Sequence, residues 1–225
     1  LIDGGFDLNT KVFKAVLPIC LPYFSQQRRE GTDIKHGYLK ATVMLTGIGW
    51  PFFVMIGMLA FSVVRLLYGP QWVLSVTPAQ ILCLAAIVEI PYLLSSEAMI
   101  AQGRIDRSNR LQLLVQGIRI CSLGLIWPFG LHGACWGLVV AGCMSSLISH
   151  HFLNQAIRLH ASEVALALRQ SGWATLLSCT PVALLLWWIP PGESNYLHVL
   201  VLAIPLGVAA WLLSLRALSH PLWDE

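Results

Sequence analysis

Residues 41–64 contain no Asp, Glu, Lys or Arg, and the same holds for residues 131–157, 170–192 and 194–215. A hydrocarbon core about 30 Å thick is crossed by about 20 mostly apolar residues in helical form. Inside lipid every backbone polar group must be satisfied within a helix or a closed barrel. These runs are continuous rather than alternating, which excludes barrel strands. Residues 78–101, interrupted only by Glu89 and Glu97, and residues 111–128, with Arg119, add two more candidates. The reading is an all-α polytopic transmembrane bundle of about six spans. Composition agrees, because 56% of the chain is hydrophobic and only 11% charged, against about 25% charged in soluble domains. So few charges cannot cover a water-facing surface, and they exclude intrinsic disorder as well.

Shorter features set the organisation around those spans. The apolar run 15–24, with Pro18 and Pro22, is too short to cross and reads as the tail of a truncated span. The expected layout is therefore that tail and a basic loop over 1–36, a six-helix lobe over 37–217, and a tail over 218–225. No positively charged start precedes a short apolar core, so no signal peptide is visible. We expect a portion of a longer protein. The connection 158–169 keeps Leu159, Val164, Leu166 and Leu168 among polar residues, which suits a short amphipathic helix lying on the membrane surface.

Basic residues give the orientation. Arg28, Arg29, Lys35 and Lys40, then Arg104, Arg107 and Arg110, then Arg158 and Arg169, and finally Arg216 fall in alternate connections, while the intervening ones hold Arg65 alone. Cytoplasmic loops carry the excess of Lys and Arg, so the first set and the C-terminus are expected in the cytoplasm. The opposite side is marked by interface-seeking aromatics: Tyr68, Trp72, Trp127, Trp187, Trp188 and Tyr196. A net charge of +3 is too small to indicate a nucleic-acid partner. The six cysteines lie in apolar surroundings without a Cys-x-x-Cys pair and read as small hydrophobes.

Ionisable groups at membrane depth are the candidate functional residues, since each costs at least about 2.5–3.5 kcal/mol to insert. Measured from the turn near Asp106 at about 1.5 Å per residue, Glu97 lies about 13 Å deep, Arg119 about 20 Å and Glu89 about 25 Å. Arg119 is thus within side-chain reach of either glutamate. Glu89, Tyr92 and Ser96 share one helical face, and Gln112, Gln116, Arg119 and Ser122 form a polar stripe on the next span. The stripes face each other or water. Two readings remain open: a hydrated route with a cation in its wall, or an Arg–Glu clamp between helices. Glu97 also has the option of reaching the interface.

Other patterns are structural in character. Gly133, Gly137, Ala141, Ser145 and Ser149 recur every four residues, a seam for close helix packing. Pro51, Pro91 and Pro181 interrupt spans and free carbonyls, as happens where transporter helices bend. His150–His151 and His132 with Cys135 lack the carboxylates and shared face of a metal site. No cofactor or metal is expected. No phosphate-binding glycine loop, HExxH or GxSxG occurs, so no enzyme is expected.

Taken in order, "LPICLPYFSQ", "GYLKATVMLTGIGWPFFVMIGMLAFSVVRLLYGPQW", "TPAQILCLAAIVEIPYLLSSEAMIAQGR" and "GLHGACWGLVVAG" resemble the C-terminal half of bacterial polysaccharide flippases. Those exporters are related to multidrug-extrusion transporters and lipid II flippases. The matching positions are Pro51, Gly69 and Trp72, Gln80-Ile81-Leu82, Gly103-Arg104 and Gly130/Gly133, within residues 10–190. The resemblance implies a MATE-like C-terminal lobe in the bacterial inner membrane, completed by an N-terminal lobe of the same protein. It also implies a lipid-linked oligosaccharide cargo on a polyprenyl pyrophosphate carrier. A polar route lined by Arg119, Glu89, Glu97, Gln112, Gln116 and Ser96 suits such a cargo. Arg119 then meets the pyrophosphate or an acidic sugar, and Glu89 or Glu97 acts as an ion-linked partner. The rival expectations are a cation antiporter of the related branch, a membrane-embedded polysaccharide polymerase or ligase, and a non-transporting remnant.

Overall fold

The computed structural model describes residues 34–126 and 129–218. The run 15–24, Arg28, Arg29, Trp127 and the tail from residue 219 lie outside them. Eight α-helices follow in order: α1 (Ile34–Met58), α2 (Ala60–Tyr68), α3 (Val76–Glu89), α4 (Ser95–Ala101), α5 (Ile105–Ile126), α6 (Gly130–Ile157), α7 (Ala161–Trp188) and α8 (Tyr196–Ala217). Short 3-10 turns at Pro70–Ser75 and Ile90–Tyr92 flank α3. No strand occurs among the described residues.

Among the described residues, five stretches are long and apolar enough to cross a membrane: α1, the composite Pro70–Ala101, α6, α7 and α8. The sixth expected span is α5, which is long enough at 22 residues. Within the expected 111–128, of which 127 and 128 lie outside the described residues, Gln112, Gln116 and Arg119 leave α5 less apolar than the other five. The interruption expected at Pro91 is there: Pro91 has no N–H to continue the ladder, and the chain tightens into the Ile90–Tyr92 turn. One further expectation is corrected. Residues 158–169 do not form a separate surface helix. His160 and Glu163 make a capping box, and the helix they start runs on without a break into the membrane-length α7.

The helices pack side by side in the order α5, α6, α3, α1, α7, α8, so chain neighbours are often not spatial neighbours. The largest core joins Tyr38 and Leu45 of α1 to Ile90, Leu94 and Met99 around α4, and to Leu153 and Val164 of α6 and α7. A second joins Leu59 to Val182, Val199 and Ala203, and a third joins Ile81 and Ala85 of α3 to Cys135 and Val139 of α6. Polar contacts between the helices are short. Thr46 Oγ1 donates to Ser171 Oγ at 2.9 Å, and Ser171 Oγ donates to the Val43 carbonyl at 3.1 Å. In the small-residue seam of α6, Gly137, Ala141, Ser145 and Ser149 are all buried.

Helix ends show where the alternating charges go. Lys35 pairs with Glu163 at 2.7 Å and donates to the Arg158 carbonyl, while Arg104 donates to the Gln155 carbonyl at 3.0 Å. Cations thus gather on the last carbonyls of α6, where the helix dipole favours them. At the other end Arg65 pairs with Glu193 and stands over the Tyr196 ring. Tyr68 packs on Trp72 there, and Trp187 and Trp188 are more than four-fifths exposed (85% and 82%). Gly69, Gly103 and Gly130 have φ of 88°, 75° and 71°, a backbone region that only glycine enters cheaply. At Gly103 the helix closes with Arg104 N–H on the Met99 carbonyl and Gly103 N–H on Ile100, the paired bonds of a Schellman ending.

Candidate functional site

Glu89 ends α3 two residues before Pro91. Its carboxylate accepts from Arg119 Nη2 of α5 at 2.6 Å, and the two side chains are 28% and 36% exposed. The pair is therefore half-sheltered at the edge of the row. α6 lies between the two helices, and it leaves room for the contact at one residue. A Cβ at Gly142 would stand 3.3 Å from Glu89 Cγ and 3.4 Å from its Oε1. Arg119 is steadied locally, because Ser122 Oγ donates to its carbonyl at 3.0 Å.

The break after α3 frees carbonyls that neighbouring helices satisfy. Trp50 Nε1 donates to Ile87 O at 2.9 Å, Ser146 Oγ to Val88 O at 3.0 Å, and Tyr38 Oη to Pro91 O at 3.1 Å. Unpaired carbonyls in lipid are costly, and broken spans persist where other helices supply donors. Trp50, Ser146 and Tyr38 carry no local motif, so the sequence alone did not mark them. Proline at 91 was the usable signal.

The remaining expected site residues are dispersed. Glu97, in α4, is half-buried and does not reach Arg119; its Oε2 is buried without a hydrogen-bond partner. Ser96 lies beyond the Ile90–Tyr92 turn, and its carbonyl accepts weakly from Ser108 Oγ at 3.4 Å. Gln112 and Gln116 sit on the same helix as Arg119 and are exposed. The geometry joins Arg119 to Glu89 and leaves the two glutamines beside that pair without a protein partner.

A family model described as polysaccharide biosynthesis protein matches residues 7–77. The teichuronic acid biosynthesis protein TuaB of Bacillus subtilis (strain 168) is 21% identical over 155 residues, covering 68% of this chain and 32% of that protein. An uncharacterized membrane protein in the cps region of Klebsiella pneumoniae is 21% identical over 164 residues, covering 68% and 34%. The chain is similar to membrane proteins of polysaccharide biosynthesis. That agrees with the resemblance read from its sequence, and with a multi-pass helical architecture. The chain spans about a third of the length of the curated relatives it matches. The segment matched by the family model ends at residue 77, before Glu89 and Arg119. No solved structure matches.

Proposed function

We propose that the protein carrying this chain is a flippase. It moves lipid-linked oligosaccharide or polysaccharide units across the bacterial cytoplasmic membrane by alternating access, without covalent chemistry, and this chain supplies helices of one lobe. The observation that carries the reading is the Glu89–Arg119 pair, half-exposed at the edge of the row with Gln112 and Gln116 beside it. A pyrophosphate-linked sugar is anionic and rich in hydroxyls. Its head needs a polar, partly cationic path while its prenyl tail stays in lipid. A guanidinium already paired with a carboxylate suits this task. The arriving anion displaces Glu89 from Arg119, and Glu89, on taking a proton or cation, no longer competes. The end bearing Lys35, Arg104, Arg107 and Arg158 is then cytoplasmic, as the distribution of basic residues implies.

The test replaces Arg119 by Ala in cells lacking the native protein and measures periplasmic delivery of the sugar chain. Delivery falls, with protein abundance unchanged, if Arg119 meets the cargo. Normal delivery at normal abundance removes Arg119 from the route. Loss of the protein itself assigns the pair to holding helices together. Glycosyltransferase genes beside the coding sequence would favour the sugar-lipid cargo.

A further inference from the structure

Proline removes the N–H that would bond the carbonyl four residues earlier. For Pro51 that carbonyl belongs to Gly47, and for Pro91 to Ile87. Each is taken by a tryptophan from a different helix. Trp211 of α8 donates Nε1–H to Gly47 O at 2.9 Å, and Trp50 of α1 donates to Ile87 O at 2.9 Å. The carbonyls opposite Pro181 and Pro205, on Leu177 and Val201, receive no side-chain donor among the described residues. The two tryptophan bonds are therefore specific to the helices that lead to Glu89.

We propose that Trp211 and Trp50 form a two-step relay by which α8 sets the position of Glu89. Trp50 lies inside the Gly47–Pro51 turn that Trp211 holds, so any change in that bend carries the Trp50 indole with it. Ile87, which the indole grips, is two residues before Glu89. Ser146 holds Val88 from the opposite side, which leaves the end of α3 little freedom except what Trp50 transmits. Gly207, one turn before Trp211 on the same face, leaves room for the Met55 side chain that α1 sends toward α8. A Cβ there would stand 2.8 Å from Met55 Sδ. Gly172 of α7 backs the Trp50 ring, an added Cβ lying 3.8 Å from its Cζ3. Both tryptophans act as positioning residues, and the relay holds whether or not Glu89 lies on a transport route.

Phenylalanine at either position keeps a ring and removes the donor. Hydrogen–deuterium exchange on the purified protein, followed in peptides covering 43–56 and 84–94, reads the result. W50F speeds exchange in 84–94 by about threefold, the worth of an average interhelical hydrogen bond in a membrane. W211F speeds exchange in 43–56 by a similar factor and, through Trp50, in 84–94 by a smaller one. The decisive arm is P51A, which restores an N–H able to bond Gly47 O. In that background W211F leaves both peptides unchanged. A W211F effect confined to 43–56 overturns the relay, and so does a W211F effect of the same size with and without P51A. If W211F alone does not accumulate, the relay requires P51A/W211F to do so, and failure of both also overturns it.

Discussion

Gly142 of α6 lies against Cγ and Oε1 of Glu89, whose other carboxylate oxygen takes the bond from Arg119. A methyl group there would meet Glu89 Cγ at 3.3 Å and Oε1 at 3.4 Å, closer than side chains normally settle. The seat of the charged pair is built into a helix that carries neither charge.

Gly142→Ala should therefore destabilise the protein by about 1 kcal/mol, the low end for overpacking, because Glu89 must yield only by a few tenths of an ångström. The cost should vanish in an E89A background, where the methyl enters vacated space. Thermal unfolding in detergent of the single and double variants checks this. Equal costs in both backgrounds would show that Gly142 serves backbone packing instead.

Removing one member of the Glu89–Arg119 pair should cost more than removing both. R119Q leaves a carboxylate alone at membrane depth and E89Q leaves a guanidinium, whereas E89Q/R119Q leaves two neutral amides able to bond each other. Each single change should cost about 2 kcal/mol at most, since both side chains are about a third exposed. A double variant no more stable than the worse single one would contradict the pairing argument.

At the basic end, Glu163 does two things: it pairs with Lys35 and accepts from the His160 N–H that opens α7. E163A should lose about 1 kcal/mol, mostly from the cap. K35M, which spares the cap and breaks the ion pair and the exposed bond to the Arg158 carbonyl, should lose less. Added salt should shrink the K35M difference and leave the E163A loss largely intact.

Arg65 offers an asymmetric case. Its Nε and Nη1 are buried without partners, while Glu193, its counter-charge, is 62% exposed. Removing the carboxylate strands a buried guanidinium, but removing the arginine returns an exposed glutamate to water. R65M should be the milder change and E193A the more harmful, by comparison of their melting temperatures. The reverse order would mean that Arg65 contributes chiefly through its stacking on Tyr196.

Much of this fold was legible in the sequence for one physical reason: a charge-free run of membrane length has no alternative to a helix. The boundaries of α6 and α8 follow from that, as do the two charged ends, whereas α7 begins nine residues before its charge-free run. That Arg119 could reach a glutamate of the preceding segment was legible too, because depth depends only on helical rise, but not that the partner is Glu89 rather than Glu97. Contacts that depend on spatial order were not. Nothing near Trp211 points to Gly47, since α8 and α1 are distant in the chain. The break at Ile90–Tyr92 was signalled by Pro91 alone, within an otherwise unbroken apolar run. The Leu159–Leu168 pattern was read as a surface helix, since amphipathic spacing does not say whether a helix stops or continues.

The row of helices has one uniform flank and one mixed flank. On α8 the exposed side chains include Val201, Leu202, Ile204, Val208 and Leu213, all at ease among acyl chains. On α5 the open side carries Leu113, Ile120 and Leu125 together with Gln112 and Gln116. Oil suits the three apolar side chains, while the two amides keep donors and acceptors for a neighbour that brings hydrogen bonds of its own.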